Sequence, residues 1–344
     1  MKTQFLAVLG GAVVALSGNA MQAEPTVYPL TIENCGETVV FERAPQNAAA
    51  LGQNSAEIML LLGLEDRMGA SAFWPNSVLP ELAEASARVR LLSVEFPTLE
   101  SVLSVQPDFV AAMLVTLLGP DSRVAKREDF HALGIPTYLS PSACTTTADT
   151  GNVSSSAANS VYGLRENLWS MDLLYQEIDD LARIFDVADR GEALIAELQA
   201  REAALRAEFE TREDLTFLFW FSSPSPSDDA YLAGGNGPSG YIADLLGGSN
   251  AVKTEAEWPA LGWEGIMAAD PTVMVVAQVD RDRWALDNAE TKIEFLTTDP
   301  TVSQMEAVQA GRIVAMSGAA MNPSIRTIYG AEELAAQLRS IELP

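Results

Sequence analysis

The residues that could carry chemistry in this chain are few, and histidine is the scarcest of them. The sequence contains one histidine, His131, in a helical pattern beside Leu133. Sites for bare zinc or manganese ions use clusters of histidine and carboxylate, because imidazole suits those metals. A Ser-His-Asp hydrolase would need His131 as its base, and the chain has no G-x-S-x-G turn. We therefore predict no metal site and no enzyme, with an exported hydrolase that uses paired carboxylates as a distant alternative.

The first 23 residues have the pattern of a secretory signal peptide. Lys2 supplies the positive start, residues 5–16 the apolar run, and residues 20–23 a small-x-small cleavage pattern. No cysteine lies near the cleavage point, which argues against a lipid anchor, and no later run is long enough to span a bilayer. We predict a periplasmic protein without direct membrane insertion.

Cys35 and Cys144 are the two cysteines of the sequence. In an oxidising compartment two thiols can form one disulfide. We predict this pairing, which would tie an early hairpin to the segment after a strand ending at Leu139. Two separate buried thiols are the alternative.

A glycine-rich run, Gly235-Asn-Gly237-Pro-Ser-Gly240, fits the dinucleotide-binding pattern G-x-G-x-x-G and opens a helical segment. A long loop separates this run from the strand before it, however. A soluble nicotinamide cofactor also does not suit an exported protein. We interpret the run as a turn and helix entry, and we predict no resident cofactor.

Glu100 and Glu264 occupy matched positions in two similar stretches of sequence. Each glutamate stands at the start of a helical pattern, with a proline seven residues later (Pro107 and Pro271) and an apolar strand after that. The repeat predicts two similar lobes. Taken alone, each acid could simply favour a helix N-terminus electrostatically.

Short apolar runs alternate with helical patterns along the chain. Such alternation predicts an α/β fold with parallel sheets covered by helices on both faces. A hairpin is predicted at 28–41, and loops at 140–167 and 222–240. Strands are predicted at 48–52, 68–72, 108–113, 135–139, 215–221, 273–277 and 313–316. Helices are predicted at 55–62, 99–105, 123–133, 169–185, 241–246, 264–269 and 325–339.

The longest helical pattern runs from Ala188 to about Arg212 and is rich in strong helix formers. Its position between the two similar stretches predicts a strut that joins two lobes, with an ordinary surface helix as the alternative. Four apolar residues fall on one narrow stripe of it: Leu194, Leu198, Leu205 and Phe209. The predicted units are an N-terminal lobe at 24–187, a linking helix at 188–213 and a C-terminal lobe at 214–344.

In the order and spacing of its motifs, nearly all of the mature chain resembles the periplasmic substrate-binding proteins of ABC importers. The similarity is to the helical-backbone class (class III), which carries ferric siderophores, haem and cobalamin. The matching motifs are Ala44-Pro45 before the strand at 48–52, residues 57–63, Pro97-Thr-Leu-Glu100, Gln106-Pro107-Asp-Phe-Val, residues 133–138, Trp263-Glu264, Asp270-Pro271-Thr-Val and Gly311-Arg-Ile-Val.

The resemblance implies two Rossmann-like lobes joined by one rigid helix, with the ligand held between them. Members of this family present one glutamate per lobe to arginines on the transporter's permease dimer, and the matching positions here are Glu100 and Glu264. The expected partners are therefore a permease dimer and a small-molecule ligand, and we expect a monomer. The formal net charge of -26 argues against nucleic acid as a partner.

Ligand contacts are expected from loops at strand ends that face the cleft. Aromatic faces could stack on a flat chelate or macrocycle, and arginine could pair with an anionic group. For each aromatic residue the alternative is core packing. The negative net charge argues mildly against a strongly anionic ligand such as a tris-catecholate and leaves neutral hydroxamates, haem and corrinoids open. A ferric siderophore is expected first, with cobalamin, haem or another cofactor precursor as alternatives. The candidate contacts are Gln53, Trp74, Trp220, Tyr231, Trp284 and Arg326.

Overall fold

A computed structural model describes residues 24–144, 169–254, 256–281 and 283–344. The predicted signal peptide and cleavage site, and most of the predicted loop at 140–167, lie outside the described residues. Within the described ranges, no helix has the length and apolar character needed to cross a membrane.

An antiparallel hairpin precedes the first sheet. Strands β1 (Leu30–Asn34) and β2 (Glu37–Phe41) pair in register, and their buried and exposed residues largely alternate. Cys35 and Gly36 form the tip, both with positive φ, at 52° and 81°. The period-two pattern that predicted this hairpin is confirmed.

The first sheet is wholly parallel, with the strand order β4-β3-β5-β6. All residues of β3, β5 and β6 are buried, as expected when helices cover both faces. The strands are β3 (Ala48–Leu51), β4 (Met68–Ala72), β5 (Phe109–Ala112) and β6 (Thr137–Leu139). The helices of this half are α1 (Gln53–Leu61), α2 (Ala83–Ala87), α3 (Leu99–Leu103), α4 (Val115–Leu118), α5 (Arg127–His131) and α6 (Met171–Ile184).

The second sheet is mixed rather than wholly parallel. Its order is β10-β8-β7-β11-β12, with β9 also on β7, and β8 runs antiparallel to β7 and β10. The strands are β7 (Thr216–Ser222), β8 (Ala230–Ala233), β9 (Ser249–Asn250), β10 (Ala260–Leu261), β11 (Val273–Gln278) and β12 (Ile313–Ser317). The helices are α8 (Pro238–Leu245), α9 (Trp263–Ala269), α10 (Ala289–Thr298), α11 (Glu306–Gln309) and α12 (Arg326–Leu338).

These two halves, β1–α6 and β7–α12, are called here the first and second lobes. The α/β fold with two lobes is as predicted, but β8 lies inside the predicted loop at 222–240, so that loop prediction was wrong. Short 3-10 turns connect several elements: Glu65–Arg67, Pro80–Leu82, Pro141–Ala143, Ala285–Asp287, Val302–Gln304 and Gly318–Met321.

The long helix α7 (Ala188–Glu208) contacts both lobes. At its start, Arg190 donates to the carbonyl of Leu62 at 2.8 Å. Farther along, Arg201 pairs with Glu332 of α12 at 2.7 Å. These contacts are compatible with a linking role, while the predicted lobe boundaries stay predictions. The helix ends before the predicted residue 213, because Phe209 has left helical geometry with φ -104° and ψ 108°.

A disulfide joins Cys35 at the hairpin tip to Cys144, with an S–S distance of 1.94 Å. Cys144 follows the 3-10 turn after β6, so the bond ties the hairpin to the far edge of the first sheet. The predicted pairing is confirmed.

Candidate ligand-binding site

A cavity of about 550 Å³ lies between the two lobes. This volume falls in the range of about 300–1,000 Å³ that is typical of small-molecule and cofactor sites. Much of its lining comes from segments after β4, β5 and β11, from the start of α1 after β3 and from the end of strand β7, at the carboxyl ends of parallel strands, as expected for this fold class. Four of the predicted ligand contacts line it: Gln53, Tyr231, Trp284 and Arg326.

The other two predicted contacts lie in the cores of the lobes. Trp220 is fully buried, packs edge-on against Trp263 at 4.9 Å between ring centroids, and donates its indole N–H to Ser223 at 3.0 Å. Trp74 is 8% exposed and belongs to the hydrophobic core. Core packing, the alternative kept open for both, describes these placements, so neither residue enters the proposed site.

Three pairs of aromatic rings line the cavity. Tyr231 and Trp284 are stacked, with centroids 5.5 Å apart and an interplanar angle of 15°. The stacked pair forms an apolar part of the cavity wall. The other two pairs are Phe73 with Phe96 at 4.8 Å and Phe221 with Trp258 at 4.9 Å between centroids.

At the cavity wall, Arg326 forms a buried ion pair with Glu57 across the lobes. Arg326 Nε donates to Glu57 Oε2 at 2.9 Å, and its Nη2 donates to Glu57 Oε1. Gln53 Nε2 also donates to Glu57, at 3.0 Å, and Arg326 Nη2 donates to the carbonyl of Ser77 at 2.6 Å. Burial raises the pKa of Glu57, while its hydrogen bonds and charge attraction with Arg326 act in the opposite direction. The Arg326 guanidinium is therefore already occupied by a carboxylate of the protein.

Two further hydrogen-bonded links join the lobes beside this ion pair. Ser77 donates its backbone N–H and its hydroxyl to Asp280 Oδ2, both at 2.8 Å. Burial alone would raise the pKa of Asp280, but these donors lower it below its ordinary value. The backbone N–H of Ile325 donates to Asn54 Oδ1 at 2.9 Å. Together with Glu57 and Arg326, these links fix the two lobes to each other along one side of the cavity.

A buried carboxylate, Asp287, organises the cavity loop of the second lobe. Its side chain is fully buried and accepts hydrogen bonds from the backbone N–H groups of Arg283 at 2.9 Å and Trp284 at 3.0 Å. It also accepts from the Ser222 hydroxyl and pairs with Arg281 at 3.3 Å. Burial would raise the pKa of Asp287, but these donors hold it below its ordinary value. The loop that carries Arg281, Arg283 and Trp284 into the cavity is thereby fixed.

Glu100 and Glu264 lie outside the cavity lining, each exposed in the first turn of a helix, α3 and α9 respectively. Thr98 caps the first of these helices by accepting a hydrogen bond from the Ser101 backbone N–H at 3.2 Å. Neither acid forms an ion pair with any described residue within 4.0 Å. Both carboxylates therefore stand free on the surface of their lobes, and a docking role for them stays a prediction.

His131 also lies outside the cavity lining, where its Nε2 is 2.8 Å from the Thr137 hydroxyl. Its Nδ1 is 3.8 Å from a carboxylate oxygen of Glu37. Over the described ranges, no group of three or more histidine, cysteine, aspartate and glutamate side chains is placed to hold a metal ion.

Several cavity residues were not among the sequence candidates. Phe73, Phe221 and Arg281 follow or end strands β4, β7 and β11, so the strand-end rule that selected Gln53 could have found them. Phe96, Arg123 and Trp258 come from irregular segments or loops, where the sequence offered no comparable signal.

Comparisons with known proteins agree with this architecture. A family model described as periplasmic binding protein matches residues 49–320, from the first sheet through the last strand of the second. The vitamin B12-binding protein of Vibrio campbellii is 25% identical over 240 residues, which are 69% of this chain and 73% of that protein.

Solved structures share the fold at lower identity. A periplasmic binding protein from Veillonella parvula superposes with a TM-score of 0.72 at 22% identity, covering 91% of this chain and 98% of that chain. An ABC-type Fe3+-hydroxamate transport protein from Saccharomonospora viridis gives 0.68 at 20% identity, covering 91% and 99%. The resemblance drawn from the sequence is confirmed, and the chain belongs to the periplasmic binding protein family.

Proposed function

We propose that this protein captures one large organic or organometallic molecule between its lobes and delivers it to the permease of an ABC importer. The observation that carries the proposal is the cavity itself, which has aromatic walls and guanidinium groups supplied by both lobes. The links between the lobes fit a receptor whose cavity is formed before the ligand arrives, since a pre-organised site loses less entropy on binding.

The favoured ligand is a ferric siderophore, with cobalamin, haem or another cofactor precursor as alternatives. Similar proteins are named for vitamin B12 binding and for Fe3+-hydroxamate transport, which supports a ligand of this size and kind. The ligand is cargo rather than a resident cofactor, and we infer a binding protein rather than an enzyme. The site of action is the periplasm, reached through the signal peptide.

Docking to the permease is assigned to Glu100 and Glu264. Replacing both by alanine should reduce ligand uptake and stimulation of transporter ATPase activity at least about tenfold. The reason is that losing one partner of a buried interfacial charge pair costs about 2–5 kcal/mol. Uptake in cells and ATPase activity in proteoliposomes measure the effect, and ligand affinity should stay unchanged because neither acid lines the cavity.

Glu128 and Glu290 are matched controls for this experiment. Each is an exposed acid in the first turn of a helix, α5 in the first lobe and α10 in the second, but neither belongs to the sequence repeat. Their replacement by alanine should leave uptake unchanged. Full uptake by the Glu100 and Glu264 double variant would show that these two acids only stabilise the N-termini of their helices. Loss of ligand binding would place them in the ligand site instead.

A further inference from the structure

We propose that the ligand carries at least two anionic groups, one held by Arg123 of the first lobe and one by Arg283 of the second. This inference rests on the proposed function, because it names the chemical class of the molecule bound in the same cavity. It is carried by the arrangement of charge inside the cavity, which differs from that of the chain as a whole.

The cavity is lined by more cationic than anionic side chains, although the chain has a formal net charge of -26. Four arginines line it (Arg123, Arg281, Arg283 and Arg326), against two carboxylates, Glu57 and Glu95. Fields from exposed charges are screened beyond about 8 Å at physiological ionic strength. The sign of charge within the cavity therefore decides which ligand is favoured, and the negative charge of the outer surface does not disfavour an anionic ligand there.

Two of these arginines form ion pairs with carboxylates of the protein, and the other two do not. Arg326 is paired with Glu57 and Arg281 with Asp287. Arg123 and Arg283, by contrast, have no carboxylate within 4.0 Å among the residues that the structure describes. An exposed arginine of this kind would be unremarkable on an outer surface. Here one comes from each lobe, and both face the same cavity.

Aromatic rings hold these guanidinium groups against the cavity wall. The guanidinium carbon of Arg123 lies 4.8 Å from the Phe96 ring centroid, and that of Arg283 lies 5.5 Å from the Trp284 ring centroid. The guanidinium carbon of Arg281 lies 5.2 Å from the same Trp284 ring centroid. Contact with a ring leaves the N–H donors in the guanidinium plane available to oxygen acceptors.

Planar guanidinium groups bind paired anionic oxygens in bidentate fashion, as carboxylates and catecholates present them. With one free arginine on each lobe, a ligand with a single anionic group would leave one of the two guanidinium groups unpaired inside the complex. A ligand with two anionic groups satisfies both and contacts both lobes. Molecules of this class are anionic ferric siderophores and tetrapyrroles with two carboxylates, rather than neutral hydroxamate chelates.

Matched pairs of probes test the proposal directly. Haemin is compared with haemin dimethyl ester, in which both carboxylates are blocked, and a ferric tris-catecholate with a neutral ferric tris-hydroxamate. Affinities are measured by tryptophan fluorescence quenching, with Trp258 and Trp284 in the cavity as reporters. The protein variants are Arg123→Gln, Arg283→Gln and their combination, with Arg43→Gln as a control at an exposed site of the first lobe outside the cavity lining.

The expected result is that the anionic member of at least one pair binds about tenfold or more tightly than its neutral counterpart. Each cavity variant should weaken that binding by about tenfold, the loss of one charge-assisted contact, with Arg43→Gln unchanged. Equal or tighter binding of the neutral members, unaffected by the two cavity variants, would overturn the charge assignment and leave the proposed function standing. Binding of cyanocobalamin but of no member of either pair would likewise overturn the charge assignment and leave the proposed function standing, whereas binding of none of these molecules would count against the proposed function itself.

Discussion

Replacing Arg326 by methionine is expected to lower the free energy of unfolding by about 3–5 kcal/mol. The change leaves Glu57, which is 1% exposed, as a carboxylate without its counter-charge in the interior. Gln53 remains as a neutral donor and does not replace the lost guanidinium. Urea denaturation at pH 8, followed by tryptophan fluorescence, measures the loss.

The pH dependence of this variant follows from the pKa of Glu57. That pKa is already raised by burial, and without Arg326 one of the influences that lower it is gone. A carboxyl group with a raised pKa in the folded state binds its proton more tightly there than in the unfolded chain. The variant should therefore regain stability as the pH falls through the folded pKa towards the ordinary value near 4.5.

Two further variants separate charge from packing. Glu57→Leu combined with Arg326→Met removes both charges and should recover most of the loss, because a buried pair can be replaced by apolar groups at little cost. Arg339→Met is the matched control, since Arg339 also pairs with a glutamate, Glu208, but at an exposed site. That change should have little effect. If Arg326→Met were tolerated as well as Arg339→Met, the buried link between the lobes would contribute nothing to stability.

Removing the disulfide is the second change with a large expected effect. The double variant Cys35→Ser with Cys144→Ser should lose up to about 4–5 kcal/mol of unfolding free energy in the chain-entropy model. The two cysteines are separated by 109 residues, so the bond restricts a long loop of the unfolded chain. Urea denaturation of exported wild-type protein and of the variant measures the difference.

Reduction supplies the control for this experiment. Dithiothreitol should lower the stability of the wild-type protein to that of the double variant, and it should leave the double variant unchanged. Thiol titration of denatured, unreduced wild-type protein should detect no free thiol. Detection of two free thiols per chain would show that the exported protein lacks the disulfide.

The elements that the sequence predicted well are those with a long or regular hydrophobic pattern. Residues of β3 and β5 form short, fully apolar runs, and both strands are buried on both faces. The strand β8 (Ala230–Ala233) was missed because four residues among aspartate, serine and glycine look like a loop, and pairing with β7 makes it a strand. Helix α10 was missed despite a usable signal, since Asn288 caps it by accepting from the Thr291 N–H.

The residues that line the cavity were predicted in part, and the differences have physical causes. The strand-end rule selected Trp220, but side chains alternate along a strand, and it is the neighbouring Phe221 that lines the cavity. Arg326 was selected for an anionic ligand, whereas it pairs with Glu57, 269 residues away in the chain. Such a partner depends on how the lobes approach each other, which no local pattern encodes.

The central claim is that one large molecule binds between the lobes, and native mass spectrometry of the exported protein tests it most directly. The protein is incubated with ferric siderophores, haemin, cyanocobalamin, Zn²⁺ and Mn²⁺. Phe73→Ala and Trp284→Ala remove one cavity ring from each lobe. The control is Leu133→Ala, at a site that is 58% exposed and outside the cavity lining.

We predict one bound molecule per wild-type chain for at least one organic or organometallic member, weakened by both ring variants and unaffected by Leu133→Ala. Neither metal ion alone should bind tightly. Stoichiometric Zn²⁺ binding without an organic ligand, or a bound ligand that neither ring variant disturbs, would contradict a binding site between the lobes.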